Sequence, residues 1–194
     1  LKKPSGELTK ADYEKVKYLH LERKKLTEVP KGLEKLTQLE ALYLQWTGVT
    51  DVTGLEKLTW LEWVGLGYNG MTEIPKGLEK LTNLTSLSLG PNQLTSVKGL
   101  ENLTNLKKLS LHYNQLTDVK GLEKLTKLEG LYLGRNQLTD VKGLEKLDQL
   151  TYLKLEDNKL TSVKGLEKLT QLKVLWLENN PDLTKAQIDQ LKKA

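Results

Sequence analysis

Two histidines are the side chains best suited to chemistry at neutral pH, because the imidazole pKa is about 6.5 and the ring can bind transition metals. His20 and His112 are the only histidines among 194 residues, and the chain has no cysteine. A shared metal or a proton relay would need both rings within a few ångströms of each other. The absence of cysteine excludes disulfides, thiolate metal sites and cysteine nucleophiles.

Motifs for covalent or phosphoryl chemistry do not occur either. No serine lies in a nucleophile-elbow motif, and there is no glycine-rich phosphate loop, because the glycines fall at the spacing of a repeat. We therefore predict a protein that is not an enzyme and that binds no cofactor and no metal.

An internal repeat runs through almost the whole chain. The phrase Leu-x-x-Leu-x-Leu-x-x-Asn returns every 22 or 23 residues and defines eight units, two of which carry an extra residue at Val29-Pro30 and Ile74-Pro75. The units begin at Val16, Leu39, Leu61, Leu84, Leu106, Leu128, Leu150 and Leu172. The two histidines fall in the first and fifth units, four strands or roughly 20 Å apart, which is too far for a shared site.

The spacing of the apolar residues changes along each unit. Residues 128–133 alternate as a strand requires, whereas residues 143–147 have leucines three apart and predict a short turn of helix or 3-10 helix. One unit cannot bury its own leucines, so we expect the strands to stack at about 4.8 Å around a continuous core. Of the 24 inward strand positions, 22 are leucine, and the others are Val16 and Val64.

Recurring polar residues indicate how the turns and ends are closed. Asparagine follows the strand in six units, where its amide can supply a donor and an acceptor to the turn. These residues are Asn69, Asn92, Asn114, Asn136, Asn158 and Asn180. Lys24 and Thr47 take this place in two early units, which leaves open a different turn near Trp46. Thr9 and Thr184 resemble helix N-caps of terminal caps.

These residues resemble the repeats of bacterial leucine-rich-repeat proteins of the short 22-residue class, to which the internalin repeats belong. The resemblance covers roughly residues 16–183. It implies an α/β fold: a curved solenoid with a parallel β-sheet on its concave face, short helical or 3-10 segments on the convex face, and helical caps at both ends. We predict one domain, residues 1–194, with a cap at 1–15, seven repeats at 16–171, and a partial repeat with a helical cap at 172–194.

The resemblance further implies a role in binding other proteins on the concave face, and it slightly favours an extracellular or cell-surface location. We define the concave face as the third, fifth, seventh and eighth positions of each unit, where the otherwise nearly identical repeats vary strongly. Recent duplication would produce such a pattern, and so would a designed or selected binding scaffold; both origins stay open.

Nine of the eleven aromatic residues of the chain lie on this face. Tyrosine and tryptophan give large contact areas at a low entropy cost, and glycine and serine leave room beside them, as in antibody paratopes. We predict that a protein or peptide partner contacts Tyr18, His20, Arg23, Tyr43, Trp46, Trp63, Tyr68, His112, Tyr113, Tyr132, Arg135, Tyr152, Lys154 and Trp176.

The aromatic residues are expected to form two groups with a smooth floor between them. The first contains Tyr18, Tyr43, Trp46, Trp63 and Tyr68, and the second contains Tyr132, Tyr152 and Trp176. The floor consists of Gly65, Gly67, Ser86, Ser88, Gly90 and Ser110. A convex partner, or a peptide that crosses the strands, could rest on it and be held at both ends. The expected hot spots are Trp46, Trp63, Trp176, Tyr43 and Tyr132, each costing on the order of 2 kcal/mol when truncated to alanine.

Charge and hydropathy narrow the class of partner. The chain carries a net charge of +5, but its lysines alternate with glutamates and form no basic stripe, so we predict no nucleic-acid partner. No stretch approaches the roughly 20 apolar residues that cross a bilayer, and residues 1–6 lack an apolar signal core, so we predict no membrane insertion. We expect a monomer. The alternative is a carbohydrate-binding surface protein, since aromatic faces also stack on sugar rings.

Overall fold

The computed structural model describes residues 9–191. Its strands are β1 Tyr18–His20, β2 Ala41–Tyr43, β3 Trp63–Gly65, β4 Ser86–Ser88, β5 Lys108–Ser110, β6 Gly130–Tyr132, β7 Tyr152–Lys154 and β8 Val174–Trp176. They form one parallel sheet of eight strands in chain order. Each strand residue pairs with its equivalent in the next unit, as Gly130 does with Tyr152. The predicted leucine-rich-repeat solenoid, an α/β fold with its strands on one face, is therefore confirmed.

Short 3-10 helices return the chain to the start of the next strand. They are Leu33–Lys35, Leu55–Lys57, Leu78–Lys80, Leu122–Lys124, Leu144–Lys146 and Leu166–Lys168. Gly143 precedes one of them with a φ of 99°, a left-handed conformation that glycine adopts without a steric penalty. Its amide donates to Oε2 of Glu145 at 2.6 Å. The repeated Gly-Leu-Glu-Lys phrase thus encodes the turn and the hydrogen bond that closes it.

Leucine fills the interior of the stack. The inward leucines of the middle units are almost completely buried; Leu131 and Leu153, for example, are 0% exposed. At the ends, Leu19 and Leu175 are only partly buried, because each has a neighbouring unit on one side alone. The core is therefore a continuous column that is tightest in the middle units.

A ladder of asparagines closes the turns after the strands. Nδ2 of Asn136 donates to the carbonyl oxygens of Leu111 at 3.0 Å and Leu133 at 2.9 Å, while its Oδ1 accepts from the amide of Leu116 at 3.0 Å. The side chain thereby ties consecutive units together and satisfies backbone groups that would otherwise be buried without partners. This agrees with the turn-closing role expected of the recurring asparagines.

Thr47 takes the place of asparagine in the second unit. Its hydroxyl donates to the carbonyl oxygen of Leu44 at 2.8 Å, the place that the asparagine amide takes elsewhere. Trp46 has a φ of 59°, close to that of the equivalent residue Tyr68 at 60°. The residue after Thr47, Gly48, has a φ of 85°, as Gly70 has 73° in the third unit, whereas Gln115 and Gln137 at the equivalent place have no positive φ. The turn near Trp46 therefore differs from that of the later units.

Helices lie at both ends of the described chain: α1 Lys10–Tyr13 and α2 Lys185–Leu191. The backbone amide of Thr184 donates to Oε1 of Gln187 at 2.8 Å, and the Thr184 hydroxyl accepts from the Gln187 amide at 3.3 Å, which is the predicted capping box. Nε2 of Gln187 also donates to the carbonyl oxygen of Thr161, so α2 is bonded to the stack. Among the described residues, no helix has the length and apolar character needed to cross a membrane.

The outermost parts of the two predicted caps, residues 1–8 and 192–194, lie outside the described residues. The residues 1–6 that were expected to lack a signal core belong to the first of these segments.

Candidate functional site

The eighth position of the repeat has a left-handed backbone in every unit but the fourth, where the residue is Pro91. The non-glycine residues with positive φ in the described chain all occupy it: Arg23, Trp46, Tyr68, Tyr113, Arg135, Asp157 and Asn179, with φ between 54° and 60°. This conformation costs roughly 1–2 kcal/mol for a residue with a Cβ atom. The amide of Trp46 donates to the carbonyl oxygen of Gly67 in the next unit, a bond that recurs along the stack and holds the geometry. The side chains consequently form a row along one rim of the concave face, which we call the rim row.

The first aromatic group consists of two separate stacks. Tyr43 lies between His20 and Trp63, with ring centroids 4.2 Å away on either side. In the rim row, Trp46 and Tyr68 stack at 3.7 Å with an angle of 12° between the ring planes. Four of the five aromatic residues expected in the first group therefore lie in these two stacks, together with His20, whereas no ring contact joins Tyr18 to them within the described residues.

Tyr18 and Arg23 lie at the edge of this group. The hydroxyl of Tyr18 donates to Oε2 of Glu40 at 3.3 Å, and Lys17 bonds the same carboxylate at 2.6 Å. The salt bridge with Lys17 and its hydrogen bond hold the pKa of Glu40 below its ordinary value. Arg23 is exposed at the start of the rim row. Neither of these predicted contact residues therefore stacks on the other rings of the first aromatic group.

The floor between the groups differs from the expectation at Gly65. A Cβ atom on this residue would collide with the Trp63 ring and with the amide of Gln45, so both side chains already lie above it. Gly65 is buried, and the open part of the floor begins in the next unit with Ser86 and Ser88, which are partly exposed. Sequence spacing could not show this, because it gives the position of Trp63 but not the direction of its ring.

A lysine side chain lies among the rings of the second aromatic group. Nζ of Lys154 lies 3.5 Å from the centroid of Trp176 and 5.9 Å from that of Tyr132, within the range of cation–π attraction. Tyr152 is 46% exposed beside them. Lys154 therefore links Tyr132 and Trp176, whereas Tyr152 makes no ring or cation–π contact within the described residues.

The rim row also places a cationic side chain beside an aromatic ring. The guanidinium of Arg135 lies 4.5 Å from the centroid of Tyr113 and bonds Asp157 at 3.2 Å. Asp157 in turn accepts from the side chain of Asn179 at 2.8 Å. Four successive units are thereby linked along the rim.

The two histidines have separate, local partners. His20 contacts Glu22 at 3.0 Å, and Nδ1 of His112 lies 2.7 Å from the hydroxyl of Ser110. Burial lowers the pKa of His112 and so favours its neutral form. Within residues 9–191, no group of three or more histidine or carboxylate residues is arranged to hold a metal ion.

Two seventh-position residues lie on the face although sequence reasoning did not select them. Glu156 covers Gly134 and leaves no room there for a Cβ atom, as Gln45 does at Gly65. Each has one side-chain oxygen that is buried and has no hydrogen-bond partner among the described residues. The sequence indicated that these two side chains lie on the face only through their position in the repeat, since glutamate and glutamine are ordinary surface residues.

Comparison with known proteins identifies the repeat. Residues 12–125 match the family model described as "Leucine-rich repeat region", and residues 148–193 match "Leucine Rich repeats (2 copies)". A search of curated protein sequences finds no significant match.

Several solved structures share the architecture. Internalin C2 of Listeria monocytogenes superposes with a TM-score of 0.76 at 26% identity, covering 88% of this chain and 84% of that one. The internalin InlF of the same organism has a TM-score of 0.65 at 28% identity and covers 78% of this chain and 51% of its own. A leucine-rich-repeat protein of Leptospira interrogans has a TM-score of 0.65 at 26% identity, covering 94% and 60%.

Such solenoids are generally non-enzymatic scaffolds for protein interaction. The repeat period, the single parallel sheet, the 3-10 return segments and these matches agree. The chain belongs to the leucine-rich-repeat family, and its repeats are of the bacterial internalin type.

Proposed function

We propose that the chain is a non-catalytic binding module that recognises a protein or peptide partner on its aromatic concave face. One observation carries this proposal: the large hydrophobic side chains that are exposed in residues 9–191 all lie on that face. They are Tyr18, Trp46, Tyr68, Tyr113, Tyr152 and Trp176, each between 43% and 57% exposed. Exposed aromatic side chains concentrated on one surface are typical of protein interfaces.

The size and rigidity of the face also support a protein partner. Eight strands at about 4.8 Å span roughly 35–40 Å, enough for one side of a standard interface of about 800 Å². The rings of Tyr43 and Trp63, and those of Trp46 and Tyr68, already stack against each other. Because they are held before binding, little side-chain entropy is lost when a partner covers them.

The charge balance of this surface favours a protein partner over a nucleic acid. On the second, third, fifth, seventh and eighth positions, the basic residues are Lys17, Arg23, Lys107, Lys108, Arg135, Lys154 and Lys173. The acidic residues at the same positions are Glu22, Glu40, Glu62, Glu129, Glu156, Asp157 and Glu178. The two sets are equal in number, so the phosphate backbone of a nucleic acid would meet no net attraction.

The test is affinity capture followed by mass spectrometry with three proteins: the native chain, a face variant and a control variant. The face variant carries serine at Trp46, Trp63, Tyr132 and Trp176. The control carries serine at Lys57, Lys80, Lys124 and Lys146, which end four of the 3-10 helices on the opposite side.

We expect the native chain and the control variant to capture the same protein, and the face variant to lose it. Equal recovery by the native chain and the face variant would contradict the proposal and would direct attention to the convex side and the caps. Displacement of the captured material by simple monosaccharides would instead favour the carbohydrate-binding alternative.

A further inference from the structure

The charges of the concave face are equal in number but unevenly spread along the solenoid. At the second, third, fifth, seventh and eighth positions, the second to fourth units carry no basic residue, and their acidic residues are Glu40 and Glu62. The fifth to seventh units carry all the basic residues between the two end units: Lys107, Lys108, Arg135 and Lys154. The positive charge of the inner units is therefore concentrated in the second half of the face.

Two of these basic residues are already neutralised by carboxylates of the chain. Nζ of Lys107 lies 3.5 Å from Oε1 of Glu129, and Nε of Arg135 lies 3.2 Å from Oδ2 of Asp157. Both pairs join neighbouring units. The other two lysines therefore carry the charge that is left for a partner.

These two lysines, Lys108 and Lys154, flank the Tyr132 ring. Cγ of Lys108 and the hydroxyl of Tyr132 lie 3.8 Å and 3.6 Å from the point that a Cβ atom on Gly130 would occupy. On the other side, Nζ of Lys154 lies 5.9 Å from the centroid of the Tyr132 ring. Within residues 9–191, neither lysine forms an ion pair and the Tyr132 hydroxyl forms no hydrogen bond.

The ammonium group of Lys108 is open to a partner. Lys108 pairs in the sheet with Ser86 on one side and with Gly130 on the other, so both neighbours at the third position are short. Lys108 is exposed, and Ser86 and Tyr132 are partly exposed. No longer side chain at the third position of either neighbouring unit therefore covers this charge.

Lys154 is held in place but keeps its charge. Its Nζ lies 3.5 Å from the centroid of Trp176, a cation–π contact that fixes the side chain without neutralising it. Glu156, two residues further along the strand, lies over Gly134 instead and has one buried oxygen without a hydrogen-bond partner among the described residues. The carboxylate nearest in sequence to Lys154 therefore does not balance it.

We propose that Lys108 and Lys154 bind two carboxylates of an acidic segment in the protein partner, and that this segment crosses the Tyr132 ring between them. This inference rests on the proposed function, because it names the chemistry that the concave face recognises. The two lysines are two strands and two residues apart, or roughly 12 Å between Cα atoms. Carboxylates at alternate residues of an extended segment are about 7 Å apart, and the flexible lysine side chains cover the remaining distance.

The side chains at this place select a carboxylate over other groups. An ammonium group has donors and no acceptor, and its hydrogen bonds to a carboxylate are stronger than those to a neutral acceptor. A cationic group would be repelled by both lysines. The phosphate backbone of a nucleic acid needs a longer row of unpaired basic residues than these two.

The probe is the peptide acetyl-Gly-Glu-Ala-Glu-Gly-amide, and the comparison is its neutral isostere with glutamine in place of both glutamates. The protein is labelled with 3-fluorotyrosine, and the ¹⁹F signals are assigned with Tyr132→Phe and Tyr43→Phe. We expect the signal of Tyr132 to shift saturably with the acidic probe, and that of Tyr43, in the first aromatic group, to stay unchanged. The neutral peptide should bind about fivefold more weakly, and about 0.5 M salt should weaken the acidic probe by a similar factor.

Removal of both lysine charges tests the location. We expect the double variant Lys108→Gln and Lys154→Gln to bind the acidic probe no better than the neutral peptide, and Lys108→Arg with Lys154→Arg to keep the native affinity. The control carries glutamine at Lys142 and Lys164, exposed residues beside the 3-10 helices, and should also bind as the native chain does. Circular dichroism verifies that each variant is folded before the titration.

Equal binding of the acidic and neutral peptides would overturn the inference, and so would native affinity in the double glutamine variant. Tighter binding of the oligonucleotide hexathymidylate than of the acidic probe would assign the two lysines to phosphate and overturn the acidic protein segment.

Partner capture separates this inference from the proposed function. A partner that is lost with the face variant but fully recovered by the double glutamine variant would contradict this inference alone. Binding of the acidic probe through both lysines, together with partner recovery that ignores the face substitutions, would contradict the proposed function alone.

Discussion

Single side chains at fixed places in the repeat connect one unit to the next. Asn136 donates to Leu111 and Leu133 and accepts from Leu116, so three backbone groups depend on one amide. It is only 7% exposed, which prevents water from replacing these bonds. A residue that bridges units in this way couples the stability of both.

We expect Asn136→Ala to lower the free energy of unfolding by about 2–4 kcal/mol, because it leaves a buried amide and two carbonyl groups without their partner. Urea unfolding followed by circular dichroism measures the change. Asn105→Ala is the matched control: Asn105 also bonds a backbone carbonyl across units, that of Thr82, but from the protein surface. We expect the control to cost less than about 1 kcal/mol; equal losses would refute the role given to the buried ladder.

The left-handed backbone of the rim row could not be predicted from the types of the residues that form it. Asparagine and aspartate tolerate positive φ, so Asn179 and Asp157 were weak signals for it. Trp46, Tyr68 and Tyr113 carried no such signal, since aromatic residues rarely adopt this conformation. The turn imposes it in seven of the eight units, all but the fourth, where proline cannot adopt a positive φ, and local propensity therefore could not predict the row.

At the scale of one element, each 3-10 turn is closed by its own glutamate. Oε2 of Glu123 accepts from the amide of Gly121 at 2.6 Å, and Glu145 repeats the contact with Gly143. Hydrogen bonds from their own backbone amides, and then from those glycines, hold the pKa values of both carboxyl groups below the ordinary range. Their contribution to stability is therefore present above the ordinary glutamate pKa and is lost as the pH falls through the lower, folded value.

We accordingly expect the thermal midpoint to fall between pH 6 and pH 3, and to fall less in the double variant Glu123→Gln and Glu145→Gln. Differential scanning calorimetry at both pH values gives the comparison. Glu73→Gln, an exposed residue outside these turns, should retain the native pH dependence. A double variant as acid-sensitive as the native chain would show that these bonds contribute nothing.

The elements themselves were predictable because the period of the leucines changes within each unit. Alternation predicted the strands, and leucines three apart predicted the 3-10 helices, as Leu144–Lys146 illustrates. The positions of the aromatic residues in the repeat also predicted which units carry each aromatic group. The sequence did not predict that the Trp63 ring covers Gly65. This contact depends on side-chain directions, which packing against Gln45 and Tyr43 helps to fix.

At the scale of the whole molecule, the stack is a one-dimensional array whose ends are less well packed than its middle. Leu131 is 0% exposed, whereas its equivalent Leu19 in the first unit is only partly buried. The cost of removing a leucine side chain should therefore depend on its place in the stack.

We expect Leu131→Ala to destabilise the chain by about 3 kcal/mol and Leu19→Ala by roughly half as much, since less apolar surface is lost at the end. Chemical unfolding of the two variants beside the native chain provides the measurement. A cost at Leu19 equal to that at Leu131 would be inconsistent with a core that tightens toward the middle.

The concave face is the other property of the whole molecule, since no single unit contains it. Its residues come from all eight units and are aligned by the register of the sheet. That register brings His20 beside Tyr43 and Lys154 beside Trp176. A solenoid of this kind separates the framework, which is nearly constant, from the surface that selects a partner.

The affinity of the captured partner for five single variants tests the proposed role of this face most directly. The variants are Trp46→Ala, Trp63→Ala, Trp176→Ala, Tyr43→Ala and Tyr132→Ala, measured by isothermal titration calorimetry beside Lys146→Ala as a control. We expect each aromatic variant to weaken binding by about 2 kcal/mol, or roughly thirtyfold in Kd, with no effect in the control. Affinities within twofold of the native value for all five variants would contradict binding on the concave face.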